Sequence, residues 1–195
     1  MNTSDFLEQI NQYYPLSDRT IQALLDICTE KRFGKNDLIL EAGNRARYYY
    51  FLQSGLVGYY TIDEQGDPIY KIFFEENSFV ASTAAIIKNE PSDFNIIALE
   101  DSILIQYPAK AYRELLEKHY DLALFHLYYL EKNWVVKKEP LEVSLKYETA
   151  KQRYLQLLEP PSLYNRLKQL HIASYLGITP TQLSRIKKDI HGDNS

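Results

Sequence analysis

Short β-rich runs recur about every ten residues between positions 37 and 107 of this 195-residue chain. They are 38–40, 48–52, 56–62, 69–74, 94–98 and 103–107, separated by Gly43-Asn44, Ser54-Gly55, Gln65-Gly66-Asp67 and Glu90-Pro91-Ser92. Parallel strands need long crossovers, usually helical, and no helical stretch stands between these runs. Evenly spaced short strands of this kind argue for a sandwich or small barrel. An aromatic content of 13%, mostly tyrosine, suits half-buried sheet faces. The expected fold is α+β, with an N-terminal β-roll of the jelly-roll (double-stranded β-helix) type.

Helices flank the roll. Residues 4–30 read as helical: Phe6, Leu7 and Ile10 make one apolar face, and Ile21, Leu24, Leu25 and Cys28 make another at i, i+3, i+4, i+7 spacing. Pro15 separates the two, and Ser17-Asp18 is the expected N-cap of the second. After the strands, a long helix is expected over about 109–139. Tyr120, Ala123, Leu127, Leu130 and Trp134 fall at alternating spacings of three and four, a coiled-coil-like seam. Leu122, Phe125 and Tyr129 make a second stripe beside it, so the helix must bury two faces. One covers the roll. The other needs a twofold copy of itself, or else the helix is buried between two domains of one chain. Pro140 should end or kink this helix. A further helix runs over about 141–158, closed by Pro160-Pro161, and 162–195 make a small helical end piece. Two domains are expected, 1–140 and 141–195.

The net charge of −4 conceals an asymmetry. Residues 1–135 carry 12 Lys+Arg against 20 Asp+Glu, a balance of −8; residues 136–195 carry 10 against 6, a balance of +4. A basic end on an acidic body suits an anionic partner, although a chance surface distribution gives the same counts.

The most specific stretch is 170–186. Ile172, Ala173 and Leu176 give a first helix an inward face, and small Ala173 lets a second helix cross closely. Gly177 follows at the C′ position, where a left-handed backbone is needed. Thr179 can cap the next helix and Pro180 occupies its first position, where a missing donor costs nothing. Leu183 and Ile186 turn inward, leaving Thr181, Gln182, Ser184, Arg185 and Lys188 outward. This is the pattern of a helix-turn-helix whose second helix, about 179–190, suits the major groove. An ordinary helical hairpin with a solvated polar face is the plainer alternative.

With these residues placed, the chain resembles the Crp/Fnr transcription regulators over nearly its whole length, particularly the compact branch common in Bacteroidetes-type bacteria. Residues 50–57 look like the strand-turn-strand of that family's cyclic-nucleotide-binding-like roll. Gly66 and Ser78-Phe79-Val80 fall at its hairpin glycine and the lead into its ligand cassette, residues 98–102 precede its closing strand, and Arg153-Tyr154-Leu155 with 172–186 look like its DNA-binding domain. The resemblance implies a homodimer joined by the long helix, with double-stranded DNA as partner at a near-palindromic site; RNA polymerase is a further partner it leaves open. Its base-reading positions fall on Pro180, Thr181 and Arg185, with Thr179 and Gln182 near phosphates. Arg185 could pair bidentately with guanine, whereas Pro180 cannot hydrogen-bond a base edge. The ligand-pocket cassette falls on Ala81, Ser82 and Thr83, and its later pair on Ser92 and Asp93. The Gly-Glu and Arg-Ser pairs that hold ribose and cyclic phosphate in cyclic-nucleotide binders are missing, so a response to cyclic AMP is not expected. The family's β-wing should be shortened or replaced by helix.

Other functions find no residues to carry them. One cysteine allows no internal disulfide, iron–sulfur cluster or zinc ribbon. His119, His126, His171 and His191 all lie outside the expected strands, which argues against a cupin-type metal site. Phosphate loops, nucleophile elbows and H-E-x-x-H motifs are absent. No catalytic residue, metal or cofactor is expected. Neither a signal peptide nor a membrane span is recognisable, so a cytoplasmic protein is expected. The rival function is a ligand-sensing roll that acts through protein contacts without DNA; the effector stays open in both.

Overall fold

The computed structural model describes residues 1–159 and 161–192; Pro160, residues 193–195 and the side chains of Leu141, Leu145 and His191 lie outside the described residues. Two amphipathic helices open the chain, α1 (Ser4–Asn11) and α2 (Asp18–Asp26), and Ser17 caps α2 by accepting from the Thr20 N–H. Eight strands follow: β1 (Thr29–Phe33), β2 (Leu38–Leu40), β3 (Tyr48–Ser54), β4 (Val57–Ile62), β5 (Pro68–Phe74), β6 (Ser78–Val80), β7 (Asn95–Ala98) and β8 (Ser102–Pro108), with a short helix α3 (Thr83–Lys88) between β6 and β7. They form two antiparallel four-stranded sheets, ordered β1-β8-β3-β6 and β2-β7-β4-β5.

All six expected strands are present. Two more were not legible. The expected helix over 4–30 stops at Asp26, and Thr29 to Phe33 pair with β8 at a sheet edge. That run carries Glu30, Lys31 and Arg32 and is largely exposed, so no apolar alternation marks it. β6 is only three residues long and pairs with β3 alone in its sheet.

Alternation divides each strand between two cores. Tyr50, Leu52, Val57, Tyr59, Val80, Ile96 and Leu104 fill the space between the sheets. Phe51, Ile105 and Tyr107 point the other way and are buried under helices by Phe6, Ile10, Leu24, Tyr112, Leu122 and Phe125.

The long helix over 109–139 is not one helix. It is α4 (Ala109–Lys118), α5 (Tyr120–Leu130), a π-helical turn Glu131–Val136 and α6 (Lys138–Tyr147). His119 between α4 and α5 is extended, at φ −125° and ψ 102°. The break lets the Asp121 carboxylate accept from the Ser17 N–H at 2.8 Å and the Thr20 hydroxyl at 2.8 Å, while His119 Nδ1 lies 3.0 Å from the same hydroxyl. In the π turn, Asn133 Nδ2 donates to the Tyr129 carbonyl at 2.9 Å and to the Tyr13 hydroxyl at 3.0 Å. A side chain inserted into the helical ladder is an ordinary cause of such a bulge. Pro140 does not end the helix; it sits in the first turn of α6, where a missing donor is tolerated.

The helix expected over 141–158 is also two. Thr149 and Gln152 form a capping box that starts α7 (Ala150–Leu157) afresh. Then come α8 (Pro161–Arg166), α9 (Gln169–Leu176) and α10 (Pro180–Gly192). Among the described residues no strand follows β8, and α8 lies between α7 and α9.

Candidate nucleic-acid interface and sensor pocket

The helix-turn-helix forms as its residues dictate. Gly177 closes α9 in the left-handed region, at φ 67° and ψ 35°, and the Ile178 N–H returns to the Ala173 carbonyl at 3.0 Å. Thr179 and Gln182 cap α10 reciprocally: Gln182 N–H donates to Thr179 Oγ1 at 3.2 Å and Thr179 N–H to Gln182 Oε1 at 2.8 Å. Gln182 thus spends its side-chain carbonyl on its own helix. Ile172, Ala173, Leu176 and Leu183 are buried. Thr179, Pro180, Thr181, Gln182, Ser184, Arg185 and Lys188 are all exposed at one end of the chain, on or beside α10. Lys187, by contrast, has its ammonium 5.5 Å from the centre of the Tyr164 ring.

This unit is seated on the roll. Leu56, Tyr70, Phe73 and Leu99 share a core with Tyr154, Leu157, Leu167, Ile172, Ala173, Leu176 and Leu183. The free edge of β5 is completed by one side chain: Ser174 Oγ accepts from the Tyr70 N–H at 3.0 Å and donates to the Pro68 carbonyl. Arg166 clamps the opposite side. Its guanidinium donates twice to Glu76, at 2.8 and 2.9 Å, and twice to Glu100, at 3.1 and 2.7 Å. Hydrogen bonds from Arg166 hold the Glu76 carboxyl below its usual range, and those it donates to Glu100 and Glu76 push the guanidinium up. Glu75-Glu76 reads in sequence as a solvated charge pair at a strand end. It is instead half of an ion cluster whose cation lies 90 residues away, a distance no local pattern reveals.

The helical seam is exposed where a partner was expected. Tyr120, Leu127 and Trp134 are 78%, 47% and 44% exposed, and Ala123 and Leu130 are half-buried. Of the second stripe, Leu122 and Phe125 are buried on the roll and Tyr129 is half-buried.

The cassette residues converge. Ser92 Oγ donates to Ser82 Oγ at 2.9 Å, and Tyr59 Oη is 3.1 Å from the same oxygen. Both serines are buried, Ala81 and Thr83 are half-buried, and Asp93 is exposed. Tyr59 stacks on Phe94 with ring centres 4.6 Å apart. The hydroxyl pair is therefore satisfied internally. A cation beside these rings carries no signal in the sequence: Lys71 Nζ lies 5.1 Å from the Phe94 ring centre and 5.7 Å from that of Tyr59.

Residues 30–119 match the family of the cyclic nucleotide-binding domain. No curated protein sequence matches the chain. Among solved structures, the c-di-GMP-responsive global regulator CLP of Xanthomonas campestris aligns with a TM-score of 0.73 at 14% identity, over 91% of this chain and 93% of its own. FixK2 of Bradyrhizobium japonicum aligns at 0.72 and 18% identity, over 86% of each. The catabolite activator protein of Thermus thermophilus gives 0.58 at 16% identity, over 95% and 88%. At such identities the likeness is one of fold, and it extends beyond the cyclic nucleotide-binding domain across the C-terminal helices. Among the described residues no helix is long and apolar enough to cross a membrane, and no cluster of metal-ligating side chains occurs.

Proposed function

We propose that the chain is a homodimeric, sequence-specific transcription regulator of the Crp/Fnr type, cytoplasmic, in which 1–140 form the sensor unit and 141–195 the DNA-binding unit. The observation that carries this is α10: a capped helix with a buried inner face, presenting Thr181, Ser184, Arg185 and Lys188 outward at the basic end of the chain. The helical stretch in place of a wing fits the compact branch of that family. With fewer strands beside the motif, phosphate contacts are few and the salt dependence of binding is shallow. The satisfied Ser82–Ser92–Tyr59 group supports a regulator that does not respond to cyclic AMP. RNA polymerase is the partner such a regulator would address from promoter DNA.

Selection of duplexes from a random pool tests this. A two-half-site palindrome with centres about one helical turn apart is expected. Arg185→Ala should then weaken binding by about 1–3 kcal/mol and relax choice at one base position per half-site. No enrichment at low salt, with or without ligand, would instead favour a roll that signals through protein contacts.

A further inference from the structure

The sheet that holds β4, β5 and β7 is apolar on both faces. Strand β5 runs Ile69-Tyr70-Lys71-Ile72-Phe73-Phe74 without regular alternation, and Lys71 is its one charged residue. Antiparallel sheets with one face in water alternate cleanly, so both faces of this sheet have to be covered. The inner face, with Val57, Tyr59 and Ile96, packs between the sheets. The outer face carries Tyr60, Tyr70, Phe73 and Ile97, flanked by Leu56 and Leu99, and the C-terminal helices cover it. Gly58, which pairs with Phe73 and Ile97, shows how closely this face is filled. A methyl group there would lie 2.6 Å from the Tyr70 ring and 3.3 Å from the Leu99 side chain. The Tyr70 ring in turn meets His171 of α9 at 5.1 Å between centres, and Phe73 meets Tyr175 at 5.6 Å.

The C-terminal helices have the converse need. With no strand after β8 among the described residues, Ile172, Ala173 and Leu176 of α9 have no sheet of their own to pack on, and all three are buried in the core shared with the roll. Pieces shorter than about 70–80 residues rarely gain enough from a single core, and 141–195 falls below that. Polar contacts hold the seat at three points. Ser174 completes the β5 edge, Arg166 holds Glu76 and Glu100, and Ser162 Oγ donates to Glu75 Oε1 at 3.2 Å.

We propose that the outer face of the roll is the missing layer of the helix-turn-helix: the two units form one cooperative body, and β5 fixes the orientation of the recognition helix. DNA is addressed from the seated position, with no hinge movement between roll and helix-turn-helix. A change in β5 then reaches α10 through α9 by direct contact. For the free chain this rests on the shared core; for the DNA complex it rests also on the reading of α10 as the recognition helix.

Amide exchange of the full chain tests it, with two variants that leave every base-facing residue intact. In the parent, the amides of α9, α10, β4 and β7 should be released together as urea rises, as one opening unit. Gly58→Ala sets a methyl group against the Tyr70 ring and should speed exchange in α9 and α10 by the same factor as in β4 and β7, roughly ten-fold. Ser174→Ala removes both edge bonds and should do the same from the helical side, roughly five-fold or more. Circular dichroism without urea checks that each variant is folded. The Tyr70 amide, bonded to Ser174 Oγ, reports the seat itself. Adding a duplex selected by the ligand-free parent should raise protection at Tyr70 and α9 along with α10, because ligand binding stabilises the whole cooperative body. Release of α9 and α10 at lower urea than β4 and β7, with no response of the helices to Gly58→Ala or of the roll to Ser174→Ala, would overturn the single body. Loss of protection at Tyr70 on DNA binding would overturn the seated mode. If the parent selects no duplex, the reading of α10 fails, and exchange in the free chain still decides whether the body is one.

Discussion

A methyl group on Gly55 would lie 2.3 Å from the Ser102 hydroxyl and 2.7 Å from the Asp101 carbonyl, at a φ of +102°. Both the left-handed backbone and the missing space demand glycine there. Gly55→Ala should therefore lower stability by roughly 2–5 kcal/mol in urea denaturation, combining backbone strain and overpacking. Tyr59 makes the opposite kind of demand, a polar one. Its burial raises the phenol pKa and its hydroxyl meets the Ser82–Ser92 pair. Tyr59→Phe should cost about 1 kcal/mol, because the serines keep each other as partners. A loss above about 3 kcal/mol would mean that the phenol is the principal partner of Ser82.

Where elements meet, the decisive contact is between β5 and α9 with Arg166 beside it. Arg166 joins two carboxylates from the roll, so Arg166→Met leaves Glu76 and Glu100 facing each other without a cation. Hydrogen bonds to charged groups are worth about 1.5–3 kcal/mol, and the variant should lose that much of the seating of the C-terminal helices. Faster amide exchange in α9 and at the β5 edge would display it. The pH dependence has a definite sign. Glu76 is held below the usual carboxylate value of 4.5, so its contribution is complete above that value and fades as pH falls through the lowered one. Variant and parent should converge in acid. If the gap persists unchanged at low pH, Arg166 acts through packing rather than charge.

For the molecule as a whole, two histidines contribute to the loss of stability in mild acid. Burial lowers the pKa of both His126 and His171, and His171 Nδ1 is buried without a hydrogen-bond partner among the described residues. The unfolded chain therefore binds more protons just below 6.5, so stability should be complete above that pH and fall as pH drops through the lowered values. Replacing both with phenylalanine or asparagine should flatten that slope in a series of denaturation curves. The association state is the other property at this level. Tyr120, Leu127 and Trp134 leave an apolar seam in water, and a twofold copy would cover it. Leu127→Glu should turn a dimer into a monomer in sedimentation equilibrium. A monomeric parent would remove the homodimer from the proposed function.

Six of the strands, the caps and the turn glycines were legible because each is written in neighbouring residues: alternation within a run, Ser17 before α2, Gly177 and Thr179 at the bend between α9 and α10. The outward set on α10 was legible for the same reason, since helical spacing sorts faces without reference to the rest of the chain. The breaks at His119 and at the π turn were not. The breaks depend on Asp121 reaching Ser17 and Asn133 reaching Tyr13, across 104 and 120 residues. The exposed β1 edge, the Arg166 cluster and the aim of Lys71 have the same origin. Each is decided by a side chain or strand from elsewhere in the chain, and local periodicity holds no record of which distant group will arrive.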